Sequence, residues 1–221
     1  MALGKQVQPA LDVRFAKHLL ARTSRVVDTT DNSLQSDGGW RTNAAGFTFN
    51  QNYGFGLVDA DAFTAEAVKY TGVTPLITES TGLTVVGVVI PDEDTTGVTR
   101  TFSMSESVSL EEVLVSLDIT HGYRGDLEAY LTSPSGYTSR LMVRSTSDNL
   151  NNIDWTYTTN AFWGEDPAGL WSLNVRDIFA NDVGTWNSYA VTTYMGTLVP
   201  EPATVCLLLM GSVMVIRRRR R

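Results

Sequence analysis

The chain has 221 residues, room for one or two small domains, and 43% hydrophobic residues with five Trp, enough for a packed core. Charged residues make up 19%, which excludes wholesale disorder. The formal charge is −7, and because five of the 17 basic residues are the terminal Arg217, Arg218, Arg219, Arg220 and Arg221, the body before them is more acidic still. Such a body offers no counterion-releasing basic face, so no nucleic acid partner is expected.

Met1 to Ala10 holds no continuous apolar core and does not read as a secretory signal. Residues 12–23 read as a short amphipathic helix. Asp12 is its cap, and Val13, Phe15, Ala16, Leu19 and Leu20 fall at helical spacing. Residues 35–52 are rich in Gly, Asn, Ser and Asp and read as loop and turn. Tyr53-Gly54-Phe55-Gly56-Leu57-Val58-Asp59-Ala60 follows, with Asp59 placed to cap a second helix running to about Tyr70. Residues 71–82 carry Thr, Gly and Pro without helix signal and read as a linker.

From Leu83 the texture becomes β. Eight runs rich in Val, Thr, Leu and Tyr are separated by Gly, Pro, Asn, Asp and Ser: 83–90, 98–104, 111–119, 126–132, 138–143, 155–158, 169–177 and 187–196. Short strands without intervening helices favour a mainly β, two-sheet antiparallel sandwich. The tail is separate. Val199-Pro200-Glu201-Pro202-Ala203 precedes a largely apolar run, Thr204 to Ile216, that is short for a spanning helix, and then the five arginines. The single cysteine, Cys206, lies inside that run, so neither a disulfide within the chain nor a thiolate metal site is expected.

Two segments carry a resemblance. The first runs Ile119-Thr120-His121-Gly122-Tyr123-Arg124-Gly125-Asp126-Leu127-Glu128 and on to Ser133-Pro134-Ser135-Gly136. The second runs Phe162-Trp163-Gly164-Glu165-Asp166-Pro167-Ala168-Gly169-Leu170-Trp171. Together they resemble the P domain, or Homo B domain, of kexin- and furin-like subtilisin proteases (the proprotein convertase type). That resemblance implies a jelly-roll sandwich over 83–198 that packs on a catalytic domain and stabilises or regulates it. Residues 17–25 with Tyr53–Ala60 look like the last elements of a subtilisin-type catalytic domain, so residues 1–70 are expected to be its two-helix C-terminal remnant. Without the parallel sheet of such a domain, these residues are expected to be loosely ordered or to dock opportunistically. The order Pro200-Glu201-Pro202, apolar run, basic cluster over 199–221 resembles the PEP-CTERM sorting signal of Gram-negative bacteria. It implies a short hydrophobic C-terminal helix as membrane anchor, with the arginines cytoplasmic. It also implies an exosortase-type partner and delivery to the cell surface or matrix.

A subtilisin-type site needs a serine, a histidine and an aspartate. The chain has two histidines and no Gly-Thr-Ser-x-x-x-Pro. His18 reads as a solvated or packed helical residue and His121 as a turn residue at a strand end, so no catalytic residue is assigned. The triad is expected upstream of Met1, and this chain alone is expected to be inactive. Arg124-Gly125-Asp126 reads as a tight turn into a strand rather than an integrin ligand. No cofactor is required. Acidic turns could hold a structural calcium, with Asp118, Asp126, Asp166, Asp177 and Asp182 as candidates. Trp163, Trp171, Trp186 and Tyr194 read mainly as core rather than as a carbohydrate-stacking face. The alternative function is a surface-anchored, non-catalytic adhesion or binding module.

Overall fold

The computed structural model describes residues 1–202. In chain order they form α1 (Ala2–Val7), α2 (Val13–Thr23), β1 (Arg41–Thr42), β2 (Thr48–Phe49), α3 (Ala60–Ala67), β3 (Tyr70–Val73), β4 (Ile77–Ser80) and β5 (Thr84–Ile90). Then come β6 (Asp94–Met104), β7 (Leu110–Thr120), a 3-10 turn (Arg124–Asp126), β8 (Leu127–Thr132) and β9 (Thr138–Met142). The last are β10 (Ile153–Thr159), β11 (Gly169–Asp177), β12 (Gly184–Met195) and β13 (Leu198–Pro200). The eight β-type runs expected from Leu83 onward are all strands.

Two compact units divide these elements. The first joins residues 1–27, 55–75 and 197–202; the second joins 28–54 with 76–196. In the first unit, helix α2 starts where Asp12 accepts a hydrogen bond from Phe15 N–H at 2.7 Å, and α3 where Asp59 accepts from Ala62 N–H at 2.9 Å. These bonds satisfy amides that the helices cannot. Leu11, Phe15, Ala16, Leu19, Phe63 and Ala67 form a small core there. The two capped helices bury each other's apolar faces. Strand β13 pairs with β3, so Val199 and Pro200 continue the first unit rather than opening a separate tail. The apolar run from Thr204, Cys206 and Arg217–Arg221 lie outside the described residues. Among the described residues, no helix is long and apolar enough to cross a membrane.

The second unit is built from two antiparallel sheets. One has the order β10-β7-β12-β4, with β5 also paired to β12; the other has the order β6-β11-β8-β9. Along β7, Val113, Val115, Leu117 and Ile119 point inward, while Leu114, Ser116, Asp118 and Thr120 alternate outward. The facing sheet supplies Leu127, Ala129, Leu131, Trp171, Leu173 and Val175 to the same core. Trp171 anchors it: Phe162 meets its ring edge-on at 5.1 Å, Phe102 stacks at 6.2 Å, and its Nε1–H donates to Pro167 O at 2.8 Å. A buried indole needs that acceptor. Strands β3 and β4 correct the expectation of a linker over 71–82. Residues 77–80 instead pair with Thr192–Met195 at the sheet edge, which supplies their backbone hydrogen bonds.

Candidate functional site

The segment 28–54 belongs with the sheets because its polar side chains are spent on them. A short hairpin, β1–β2, presents Asn43, which is buried. Asn43 Nδ2 donates to Ala161 O at 3.0 Å and Trp163 O at 2.9 Å, while its Oδ1 accepts from Ala45 and Phe47 N–H. Every donor and acceptor of that amide is therefore used. The buried Glu165 answers from the other side. Its Oε1 accepts from Ala44 N–H at 3.0 Å, and its Oε2 accepts from the hydroxyls of Ser133 at 2.7 Å and Ser135 at 3.1 Å. Arg140 donates to the carbonyls of Leu34 and Gln35. Gln51 reaches Ser139 Oγ and Arg140 O, each at 3.1 Å. The segment also braces itself. Asp31 accepts from Ser33 N–H and from the amides of Asn50 and Asn52, and these hydrogen bonds, Ser33 first, lower its pKa to about 2.

The second feature is the motif around His121. The ring is buried behind the end of β7, and its Nε2 lies 3.0 Å from Asp177 Oδ2 at the end of β11, in the facing sheet. Tyr123 N–H donates to His121 Nδ1 at 3.0 Å, so that nitrogen accepts and the ring proton sits on Nε2, donated to Asp177. Gly184 permits the packing, since a Cβ there would stand 2.4 Å from His121 Cδ2. His121 stands just past the end of β7, where the strand-end turn was expected, and its buried ring also ties the two sheets. His18 is buried on α2.

The Arg124–Asp126 turn follows. Gly125 is buried, and a Cβ on it would stand 2.3 Å from both Ser145 O and Asp148 O. Asp126 is only 7% exposed, so its carboxylate is not presented as an adhesive tip. Burial and then the charge of Asp177 raise the Asp126 pKa, and burial raises that of Asp177. Of the five calcium candidates, the fold brings Asp126, Asp177 and Asp182 toward His121, with Asp182 over Gly122. Asp118 is on the outer face of β7 and accepts from Asn187 Nδ2. Asp166 is in a distant turn and accepts from Ala168 N–H and Ser107 Oγ. Both Asp177 oxygens are engaged, by His121 and by Phe179 N–H. Among the described residues, no three of His, Cys, Asp and Glu are gathered to hold a metal ion.

Trp163, Trp171 and Trp186 are at most 3% exposed and Tyr194 is half-buried, so the core assignment for the tryptophans agrees with the fold. Two features escaped the sequence. Asn43 and Glu165 looked like turn residues, with no local sign of the carbonyls and amides they would meet. Trp155, 66% exposed, looked like one more strand aromatic.

A family model described as the proprotein convertase P-domain matches residues 110–193. The chain is similar to proprotein convertase subtilisin/kexin type 5 of Rattus norvegicus, 37% identical over 186 residues, covering 80% of this chain and 10% of that protein. It is also similar to furin of Homo sapiens, 30% identical over 229 residues, covering 96% of this chain and 27% of that protein. It therefore spans between about a tenth and about a quarter of these relatives. Among solved structures, a crystal structure of the Aeromonas sobria serine protease in complex with the chaperone ORF2 superposes with a TM-score of 0.75 at 23% identity. That match covers 87% of this chain and 41% of the protease, and it shows a shared fold.

Proposed function

We propose that this chain, whose residues 110–193 form a P domain of the kexin/furin-like proprotein convertase kind, is the C-terminal, non-catalytic part of an exported serine endopeptidase. Its sandwich works by holding the last loop of the catalytic domain in place. The observation that carries this is the set of bonds from Asn43, Glu165, Arg140 and Gln51. They fasten 28–54, which lies between the two subtilisin-like elements at 17–25 and 53–60, onto the P domain. A body that binds only the folded form of its partner shifts that partner's equilibrium toward folding. The similarity to furin over 96% of this chain extends beyond the P domain and supports the assignment of residues 1–70 to the end of a catalytic domain. The first unit supports it too. Leu3, Val13, Leu57 and Val58 are exposed, as apolar residues are on a surface that another layer covers.

The partner in this reading is a subtilisin-like catalytic domain in the same polypeptide, which supplies the catalytic Asp, His and Ser. Export, delivery through Pro200-Glu201-Pro202 with Arg217–Arg221, membrane anchoring and processing by an exosortase-type enzyme belong to the same proposal and rest on the order of those sequence elements. The purified chain is expected to stay unlabelled by a fluorophosphonate serine probe under conditions that label a subtilisin. Labelling at any serine of residues 1–202 would overturn the non-catalytic assignment.

A further inference from the structure

We infer that the open edge of the sandwich, between β9 and β10, is a binding groove for a neutral polysaccharide, with Trp155 as its stacking platform. This goes beyond the accessory role proposed above and does not depend on it.

The groove follows from the register of an edge strand. Trp155 pairs with Leu117, and its neighbours on the same face, Ile153 and Tyr157, pair with Ile119 and Val115. Directly opposed residues share a face, so Trp155 belongs to the core-facing side of its sheet. Yet it is 66% exposed, whereas Leu117 is buried. β10 and β9 each end their sheet, and the facing sheet covers Ile153 and Tyr157 while leaving Trp155 open. What remains is a groove of about 320 Å³ walled by Met142, Tyr157, Trp155, Arg124 and Asp148. That volume is at the small end of ligand sites, roughly 300–1,000 Å³.

Its chemistry selects the occupant. The Arg124 guanidinium is held by Asp148 through Nε at 2.9 and 3.1 Å, which leaves its Nη atoms without a partner among the described residues, as is Trp155 Nε1. Asp148 supplies a carboxylate acceptor on the same wall. An anionic ligand would face the Asp148 carboxylate, and a cationic one would face Arg124. A ligand whose hydroxyls both donate and accept meets the whole set, and the flat apolar face of a sugar ring covers the indole. The four other tryptophans are buried or half-buried, so the one exposed indole is placed where these polar groups converge.

Affinity electrophoresis of the full chain tests this in gels containing soluble β-glucan, xylan or mannan, with alginate as the acidic comparison. We expect retardation by at least one neutral polysaccharide. Trp155→Ala should weaken it roughly tenfold, and Trp155→Phe should keep most of it. The indole N–H resonance of Trp155 in the unmodified protein should shift with the same polysaccharide, a readout that does not depend on any variant folding. Absence of retardation by all three neutral polymers, retardation unchanged in Trp155→Ala, or stronger retardation by alginate would overturn the proposal.

Discussion

His121 Nε2 and Asp177 Oδ2 lie 3.0 Å apart with both side chains fully sealed from water, and they join the ends of two strands in opposite sheets. The bond closes the sandwich at the end where the Arg124–Asp126 turn departs. Removing the histidine would leave Asp177 buried beside Asp126 with only the Phe179 amide for company. His121→Ala is therefore expected to cost about 3 kcal/mol in urea unfolding at neutral pH, the scale of a broken buried pair. Burial raises the Asp177 pKa, so acid neutralises the orphaned carboxylate. The cost should shrink at a pH near that of carboxylate titration, about 4. Equal costs at both pH values would show that the pair is packing alone.

Asp126 gives the opposite sign. Its carboxyl is raised by burial and by the Asp177 charge, so ionisation opposes folding. The penalty is absent below the unfolded carboxylate range, about 4, and is complete once pH has risen through the higher folded value. Asp126→Asn should stabilise the chain at neutral pH by on the order of 1 kcal/mol and do little in acid. Thermal melts across that window check it, and a destabilised variant at neutral pH would refute it.

Asp31 sits at the other extreme. Its pKa, lowered to about 2 by the Ser33 amide and the Asn50 and Asn52 side chains, means its contribution is present above about 4 and lost as pH falls through about 2. Amide protection factors within 28–54 should drop over that interval in the natural chain. In Asp31→Asn they should be low throughout and nearly flat. A natural chain with constant protection down to the lower end would contradict this.

The sandwich strands were legible because Val113, Val115, Leu117 and Ile119 alternate with polar or half-exposed neighbours, and the helices because Asp12 and Asp59 are local caps. The four-residue strand β4 was not. It follows Pro75 closely, and its partner Thr192–Met195 is more than a hundred residues away. His121 looked like a turn residue because the group that defines it, Asp177, is 56 positions on. The placement of 28–54 was hidden for the same reason, since Asn43 meets its carbonyls 118 and 120 residues later. Trp155 shows a different limit. Alternation assigns a side chain to the inner face of an edge strand, but not whether the opposite sheet reaches far enough to cover it.

The fastening of 28–54 by Asn43 is the centre of the proposed role, and hydrogen–deuterium exchange of the natural chain against Asn43→Ala tests it most directly. The natural chain should protect amides of the 41–49 hairpin. The variant should lose that protection while β7 and β11 keep theirs, because the core of the sheets does not use Asn43. Equal hairpin protection in both proteins, or none in the natural chain, would contradict the account.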